Sequence, residues 1–371
     1  MPTLSPTLQP QLPPADTRHP VAYLTHPGPQ LARDLGRLFG PLGWWPDSAY
    51  RALLGRLNLP PFVTGTFHYR DRPERVAGWL ILVPLTPDQL RAGGSRVHAL
   101  IGRAVDRAAQ LGARTVGLGS LLGPATGNGT DLRRRTDTGV TTGSAFTAAM
   151  ALRAAQRLLT QCEPAACVAL VGPGGSVGSC LARLLAANTD HDLLLIGQNE
   201  ARLRGLQATL PGGRAAISTD LTRLRDAELV ILTGRVPHGA PLGPALRRGS
   251  LVLDITRPRV TGPDLLLERP DVRVIDGGLV SLPGVDLPET AGWPRGLGDA
   301  ALAETLLLGL HGHPGHFALG TPTPAQAAEV TVMARGAAPL GFTLAPPHSF
   351  GQPVTVDRRF DRWSCPAGVP A

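Results

Sequence analysis

The feature that most constrains the fold is a glycine-rich turn within residues 168–186, which read VALVGPGGSVGSCLARLLA. A short apolar run with strand character meets the turn, and a segment with helix character follows it at once. Gly172, Gly175 and Gly178 give the spacing G-x-x-G-x-x-G, with Gly174 as an extra glycine. A strand, a glycine turn and a helix in this order place backbone N–H groups and a helix N-terminus against a dinucleotide pyrophosphate. The predicted cofactor contacts of the turn are Gly172, Gly174, Gly175, Ser176, Val177 and Gly178.

Each glycine of the spacing has a predicted role. Gly172 makes the tight turn, Gly175 lets the backbone approach phosphate, and Gly178 lets the helix pack on the strand. Glycine turns also close many βα units that bind nothing, so the spacing alone is a weak signal. The strand before it, the helix after it and a second strand about 20 residues further on favour a cofactor site over a plain turn.

Strand-like runs alternate with helical segments through the rest of this region. The runs are CVALVG, DLLLIG, AELVILTG, GSLVLDI and VRVIDGG. This alternation predicts βαβ units and a parallel sheet. The predicted fold class is α/β, with a Rossmann-type parallel-sheet dinucleotide-binding domain, an N-terminal α/β domain and a helical C-terminal part. The predicted segments are a disordered proline-rich extension (1–20), an N-terminal α/β substrate domain (21–145), a connecting helix (146–166), the Rossmann domain (167–282), a helical C-terminal domain (283–345) and an irregular tail (346–371).

The tip of the second predicted strand indicates which nicotinamide cofactor binds. An acidic residue there would hold the ribose 2′-hydroxyl of NAD, whereas an arginine nearby would hold the 2′-phosphate of NADP. Gln198 and Asn199 occupy the tip, and Arg202 follows. We therefore predict NADPH, with NADH as the alternative and a solvent-facing Arg202 as the alternative for that residue. Thr233 and Gly234 end a later strand at the same sheet edge and are predicted to contact the cofactor.

Charge and composition narrow the chemistry. The formal net charge is +8, and every basic side chain is an arginine because the chain has no lysine. The tyrosine–lysine pair of short-chain dehydrogenases, the lysine–aspartate pair of shikimate-type dehydrogenases and lysine Schiff bases are all excluded. No nucleic-acid recognition motif accompanies the arginines, and aromatic residues make up only 4%, so we predict no nucleic-acid partner.

The remaining composition predicts a cytoplasmic protein without a metal. No apolar stretch reaches the roughly 18 residues that span a bilayer, and the N-terminus has no signal-peptide pattern. The four cysteines, Cys162, Cys167, Cys180 and Cys365, lack the paired spacing of a zinc site and are predicted to be reduced thiols.

With these residues in view, residues 21 to about 344 resemble the cyanobacterial long-chain acyl-[acyl-carrier-protein] reductases. The resemblance lies in VALVGPGGSVGS, QNEARLRGLQATL, GLGSLLG, TTG with Thr147, VIDGGLV and ALAETLLLGLHG. It implies fatty aldehyde formation with NADPH, and an acyl carrier protein or acyl-CoA as the partner that delivers the substrate. It also implies a cysteine nucleophile at the start of the C-terminal helix, but Ala301 stands at that position and cannot form a thioester.

Other substrate-side positions partly follow the family pattern. Thr142 and Gly143 are retained, while Ser144, Ala145 and Phe146 replace more polar residues, a histidine among them. Arg259 replaces a lysine, which keeps the charge but removes the ability to transfer a proton. His26 matches a family histidine and is the remaining titratable candidate; the alternative is a loop histidine bonded to a backbone carbonyl. Gly277 and Gly278 are predicted to pass close to the nicotinamide, with a plain turn as the alternative.

Two functions follow from the sequence. The first is an NAD(P)H-dependent oxidoreductase that acts on an acyl thioester, an aldehyde or another carbonyl compound without a covalent cysteine intermediate. The second is a catalytically inactive dinucleotide-binding protein with a sensing or assembly role. The sequence leaves the substrate and the oligomeric state open.

Overall fold

The N-terminal lobe is built on a six-stranded sheet. A computed structural model describes residues 12–14, 17–28, 30–38, 40–57, 59–135, 137–236 and 241–355. Five strands of the sheet come from the first part of the chain: β1 (Val21–Thr25), β2 (Phe62–Tyr69), β3 (Arg72–Leu82), β4 (Thr115–Leu118) and β5 (Gly139–Thr141). The helices of this part are α1 (Leu31–Leu38), α2 (Asp47–Arg56), α3 (Pro87–Ala92), α4 (Ser95–Gln110) and α5 (Leu122–Ala125). In α4 the buried residues Val97, Ile101 and Ala104 recur at helical spacing, which places one apolar face inside the lobe.

The second lobe follows α6 (Ser144–Leu159) and contains a fully parallel sheet. Its strands are β6 (Val168–Val171), β7 (Leu193–Ile196), β8 (Ala215–Ser218), β9 (Leu229–Leu232), β10 (Leu251–Asp254) and β11 (Arg273–Asp276), and its helices are α7 (Ser176–Asn188), α8 (Glu200–Gln207), α9 (Leu242–Ala245) and α10 (Asp264–Glu268). The strand order is β11–β10–β9–β6–β7–β8, and every pairing is parallel. Order reverses between β6 and β9, which is the Rossmann topology. All residues of β6, β7 and β9 are apolar and buried, as expected of strands covered on both faces. The predicted α/β fold class is confirmed.

The C-terminal part joins the two lobes. It comprises β12 (Leu279–Ser281), β13 (Val285–Asp286), β14 (Leu297–Asp299), α11 (Ala300–Leu310), α12 (Pro324–Gly336), β15 (Thr343–Leu344), β16 (His348–Ser349) and β17 (Gln352–Pro353). β13 pairs antiparallel with β2 and so completes the N-terminal sheet. α11 packs against that sheet, where the Tyr69 hydroxyl donates a hydrogen bond to the Leu306 carbonyl at 3.0 Å. The part predicted as helical therefore also supplies short strands.

Both predicted terminal segments lie partly outside the described residues. Of the proline-rich extension, residues 1–11, 15 and 16 lie outside them, and of the tail, residues 356–371. The described beginning of the tail is a hairpin of β16 and β17. Its turn is held because the amides of Phe350 and Gly351 donate to the Asp276 carboxylate at 3.0 and 2.7 Å.

Candidate functional site

A cleft of about 710 Å³ opens at the carboxyl ends of β6, β9 and β10. From the parallel-sheet lobe it is lined by Gly174, Gly175, Ser176, Val177, Arg202, Thr233 and Gly234. Thr142, Ser144, Thr147, Gly277, Gly278 and Ala301 line the same space. The fold thus brings the predicted cofactor turn and most of the predicted substrate-side residues together. This edge of an open parallel sheet is also where ligands bind in such folds.

Two glycines of the turn are required by the protein's own packing. Gly172 has a φ of +75°, and a β-carbon added there would lie 2.7 Å from the Gly234 Cα. A β-carbon at Gly178 would lie 2.6 Å from the Thr233 side-chain oxygen. These glycines allow the turn after β6 and the start of α7 to pack against the chain after β9.

The other two glycines face open space. Gly175 has an ordinary φ of −80° and caps α7, and a β-carbon there would come no closer than 3.9 Å to any atom. At Gly174 the nearest atom would be the Arg202 Cδ at 4.0 Å. Neither backbone strain nor protein neighbours require glycine at these positions. A ligand brought against the backbone at the N-terminus of α7 would use this space, so the residues present fit a dinucleotide pyrophosphate.

The residues at the tip of β7 separate into two groups. Gln198 and Asn199 are exposed and do not line the cleft; instead, Asn199 accepts a hydrogen bond from the Arg202 amide at 2.9 Å and caps α8. Glu200 pairs with Arg204 at 2.6 Å. Arg202 is exposed and is the member of this group that lines the cleft.

The opposite end of the cleft is formed where α6 and α11 begin. Gly143 has a φ of +72°, and a β-carbon there would lie 2.2 Å from the Ala301 Cα and Cβ. The start of α6 therefore contacts Ala301 through bare backbone. Thr142 donates to the Ala318 carbonyl at 2.8 Å, and its hydroxyl lies 2.6 Å from that of Ser144. Because Thr142 has one proton to donate, Ser144 donates to Thr142 in this arrangement.

Gly277 and Gly278 lie between the parallel sheet and α11. A β-carbon at Gly277 would lie 2.8 Å from the Ile255 side chain, and Gly278 has a φ of +73°. The Gly278 carbonyl accepts a hydrogen bond from the Ala300 amide at 2.8 Å. Both glycines line the cleft, but packing at Gly277 and backbone conformation at Gly278 already explain why glycine occupies these positions without a ligand.

Among the described residues, no cysteine lines the cleft. Cys180 is buried in α7, and burial raises the pKa of its thiol to about 11. Burial also raises the pKa of Cys162 to about 11, and that of Cys167. Cys365 lies outside the described residues. Asp299 caps α11 by accepting from the Leu302 amide at 2.7 Å, and Ala301 therefore occupies a helix N-terminus without a nucleophile.

His26 lies beside the cleft and does not line it. Its Nδ1 donates to the Pro27 carbonyl at 2.7 Å, and its Nε2 accepts from the Leu121 amide at 3.4 Å. Burial lowers the pKa of His26 to about 4, so the ring is neutral at neutral pH. These contacts match the alternative of a structural loop histidine. Arg259 does line the cleft, but its guanidinium pairs with the Asp276 carboxylate at 2.6 Å.

Sequence reasoning missed a buried carboxylate beneath the cleft. Glu304 in α11 has no exposed surface; it accepts from the Phe146 amide at 2.7 Å and from the Thr141 hydroxyl. It thereby satisfies the N-terminus of α6 from the neighbouring helix. Burial raises the pKa of Glu304 to about 7, against the lowering effect of these hydrogen bonds. The available signal was a single acid inside the apolar helix ALAETLLLGL.

Tyr23, Asp299 and Arg257 form a second group that the sequence did not reveal. All three line the cleft, and the Tyr23 hydroxyl donates to the Asp299 carboxylate at 3.2 Å. Burial and the Asp299 charge raise the pKa of Tyr23 well above its ordinary value, and burial raises that of Asp299. Tyr23 is on a strand of the N-terminal lobe and Arg257 follows β10, so only the tertiary fold brings them together.

The described part of the chain lacks two features. It contains no group of three or more histidine, cysteine, aspartate or glutamate residues placed to hold a metal ion. No helix within the described residues has the length and apolar character to cross a membrane.

Comparisons with known proteins give partial matches. No protein-family model matches the chain. The aminotransferase PigE of Serratia sp. is 25% identical over 324 residues, which cover 83% of this chain and 37% of PigE. The long-chain acyl-[acyl-carrier-protein] reductase of Synechococcus elongatus is 32% identical over 145 residues, 38% of this chain and 41% of the reductase. Among solved structures, the dipicolinate synthase A chain from Bacillus subtilis is 16% identical with a TM-score of 0.31, over 44% of this chain and 56% of that one. The chain thus spans less than half the length of the two curated relatives.

Proposed function

We propose that the chain is an NAD(P)H-dependent oxidoreductase that reduces a carbonyl group, as an acyl thioester or an aldehyde, without a covalent cysteine intermediate. The observation that carries the proposal is the open space at Gly174 and Gly175 in a cleft that continues to Ala301. The cleft therefore offers a place for a dinucleotide at one end and for a second, reacting molecule at the other.

The residues of the parallel-sheet lobe would hold the cofactor. Amides at the start of α7, beside Gly175 and Ser176, would bind the pyrophosphate. Thr233 and Gly234 would border the middle of the cofactor, and Gly277 and Gly278 would border the nicotinamide. Arg202, the cleft-lining residue beyond the β7 tip, would bind a 2′-phosphate, so we propose NADPH over NADH. When bound, the cofactor supplies a hydride to the carbonyl carbon.

The residues around Ala301 would hold the carbonyl compound. Ser144 and Tyr23 line the cleft, and hydroxyls of this kind stabilise negative charge on a carbonyl oxygen when they donate to it. In the structure the Ser144 hydroxyl donates to Thr142 and the Tyr23 hydroxyl donates to Asp299, so each would turn from that partner to donate to a bound carbonyl oxygen. A hydride acceptor held by such donors needs no attached nucleophile.

The resemblance to the acyl-[acyl-carrier-protein] reductases also supports a proposal for the partner that delivers the substrate. We propose an acyl carrier protein or acyl-CoA for a thioester substrate, supported by the 32% identity to the acyl-[acyl-carrier-protein] reductase over 145 residues.

Transamination suits the chain less well. A lysine Schiff base would have to come from outside these 371 residues, because they contain no lysine.

The second candidate function is a dinucleotide-binding protein without catalysis. Ala301 favours it, because the position where the resembled family carries its nucleophile is an alanine at the start of α11. Such a protein would bind NADPH and report or transmit its occupancy.

One experiment separates the two functions. Equilibrium titration of the full chain with NADPH and NADH tests binding, and the loss of dihydronicotinamide absorbance with aldehydes and acyl thioesters tests turnover. Binding with turnover is expected of the reductase. Binding without turnover across both substrate classes would favour the second function, and absence of binding to either cofactor would contradict both.

A further inference from the structure

We propose that Arg257 is the receptor for a carboxylate of the substrate, so that the carbonyl compound reduced in this cleft is an oxo acid. The inference rests on the proposed reductase function and narrows its substrate class. It makes the charged group of the substrate, rather than a long apolar chain, the feature that the site recognises.

Arg257 stands on a rigid loop at the carboxyl edge of the parallel sheet. Asp254 at the end of β10 has no exposed surface, and its two carboxylate oxygens accept from the amides and hydroxyls of Thr256 and Thr261, at 2.5–3.0 Å. Four hydrogen bonds to one buried carboxylate fix the loop between these threonines. The arginine is therefore presented to the cleft from a preorganised backbone.

The guanidinium of Arg257 has N–H groups that donate to no acceptor among the described residues. Nη1 donates to the Thr256 carbonyl at 3.0 Å and Nη2 to the Gly277 carbonyl at 3.1 Å, whereas a guanidinium carries five N–H groups. No other acceptor, and no carboxylate within 4 Å, is found for Arg257 among the residues that the structure describes. The side chain is partly buried, and burial lowers its pKa. A cation withdrawn from water in this way gains most from an anion that binds it.

The acidic residues that act on Arg257 electrostatically are Asp299, Asp276 and Asp254. Each has other donors: Asp299 caps α11 and accepts from Tyr23, Asp276 pairs with Arg259, and Asp254 holds the loop. These carboxylates reduce the positive potential at Arg257, but none of them accepts a hydrogen bond from its guanidinium. Arg259, two residues away on the same loop, differs because it has its own carboxylate partner.

The position of Arg257 fits the substrate rather than the cofactor phosphates. It follows β10, which is two strands from β6 and its glycine turn, a separation of about 10 Å at the ordinary strand spacing. One of its two donated hydrogen bonds goes to the Gly277 carbonyl, and the carbonyl of the next residue, Gly278, accepts from the amide of Ala300 beside Ala301. A carboxylate on Arg257 would thus lie next to the end of the cleft where the carbonyl would react.

The test is calorimetric titration of the full chain with glyoxylate, pyruvate and 4-oxobutanoate, each compared with its methyl ester, with and without NADP⁺. At least one acid is expected to bind about tenfold or more tightly than its ester, because the ester removes the charge. R257Q is expected to abolish this difference while changing the NADPH affinity less than about twofold. R248Q removes an exposed positive charge just before the amino end of β10, away from the cleft, and is the matched control that should preserve the difference.

Three results would overturn the inference: no acid binds the wild type better than its ester, R257Q keeps the preference, or R257Q loses NADPH affinity as strongly as acid affinity. If R257Q does not fold, R257K decides the question, because it keeps the charge but removes the planar fork and should reduce the preference. Acid binding by a chain that fails to bind NADPH would retain the carboxylate site and overturn the reductase function.

Discussion

The carboxylate of Glu304 in α11 accepts a hydrogen bond from the backbone amide of Phe146, two residues into α6, at 2.7 Å. This contact ties together the two helices whose first turns carry Ala301 and Ser144, which line the reacting end of the cleft. A carboxylate at a helix N-terminus satisfies otherwise unpaired amides and complements the helix dipole. The site is therefore supported from below by a buried ionisable group.

The first prediction concerns the pH dependence of stability. Because the pKa of Glu304 is raised to about 7 in the folded chain, the folded state holds this proton more tightly than the unfolded state does. The stability that the protonated Glu304 side chain contributes to the folded chain is present at pH values below the ordinary glutamate range. This stability is lost as the pH rises to about 7. Relative to E304Q, the unfolding free energy of the wild type should fall by about 3 kcal/mol between pH 4.5 and pH 8. Urea unfolding at several pH values measures it.

Glu200 provides the control for this titration. It is exposed at the start of α8, and E200Q is expected to change the unfolding free energy by less than about 0.5 kcal/mol. A difference between wild type and E304Q that stays constant from pH 4.5 to pH 8 would contradict the assignment.

The second prediction tests the open space of the glycine turn. The β-carbon of G175V would come no closer than 3.9 Å to the Gly172 carbonyl oxygen, so the fold should persist while NADPH and NADH bind more weakly by about 1–3 kcal/mol. G205V makes the same substitution on exposed α8, where a β-carbon also meets nothing, and should leave binding intact. Fluorescence titration measures both. Unchanged affinity in G175V would place the pyrophosphate elsewhere.

The third prediction concerns the choice between cofactors. R202A should weaken NADPH by about 1.5–3 kcal/mol and leave NADH nearly unchanged, because only NADPH carries the 2′-phosphate. R204A on the same helix removes an arginine that pairs with Glu200 and serves as the control. Equal weakening of both cofactors by R202A would assign Arg202 to the pyrophosphate or to folding.

The fourth prediction concerns the missing nucleophile. Incubated with an acyl thioester, the wild type should form no acyl adduct, because among the described residues no thiol lines the cleft. A301C places a thiol at the N-terminus of α11, where the helix lowers the pKa of the thiol and the Asp299 charge opposes that effect. We expect A301C to acquire the adduct by intact-mass spectrometry. An adduct on the wild type at Cys180 or Cys365 would reverse this expectation.

Local patterns were sufficient for the fold class and for the glycine turn between β6 and α7. The connecting helix predicted over 146–166 is present, but it begins two residues earlier and ends earlier, at Ser144–Leu159. β8 went unrecognised because GGRAAISTD is short, rich in alanine and only partly buried at the sheet edge. β13 is a two-residue strand that exists only because β2 is there to pair with it.

The reacting end of the cleft was harder to predict, because its members come from distant parts of the chain. Tyr23 and Asp299 are 276 residues apart, and no spacing rule connects them. In the sequence Glu304 is only a single acid in an apolar helix, and its role becomes visible only when α6 packs against α11. His26 shows the opposite case: the resemblance pointed to it, yet backbone contacts already use both of its ring nitrogens.

The return of the chain through β13 to β2 has a mechanical consequence. A two-lobed protein whose lobes are joined by a single hinge can open by bending there, whereas this chain crosses from one lobe to the other at α6 and crosses back before β13. Spreading the lobes apart would have to strip an edge strand or unseat α11. The two lobes are therefore expected to move as one unit, and a cut between residues 282 and 285 alone would leave α11 packed on the N-terminal sheet.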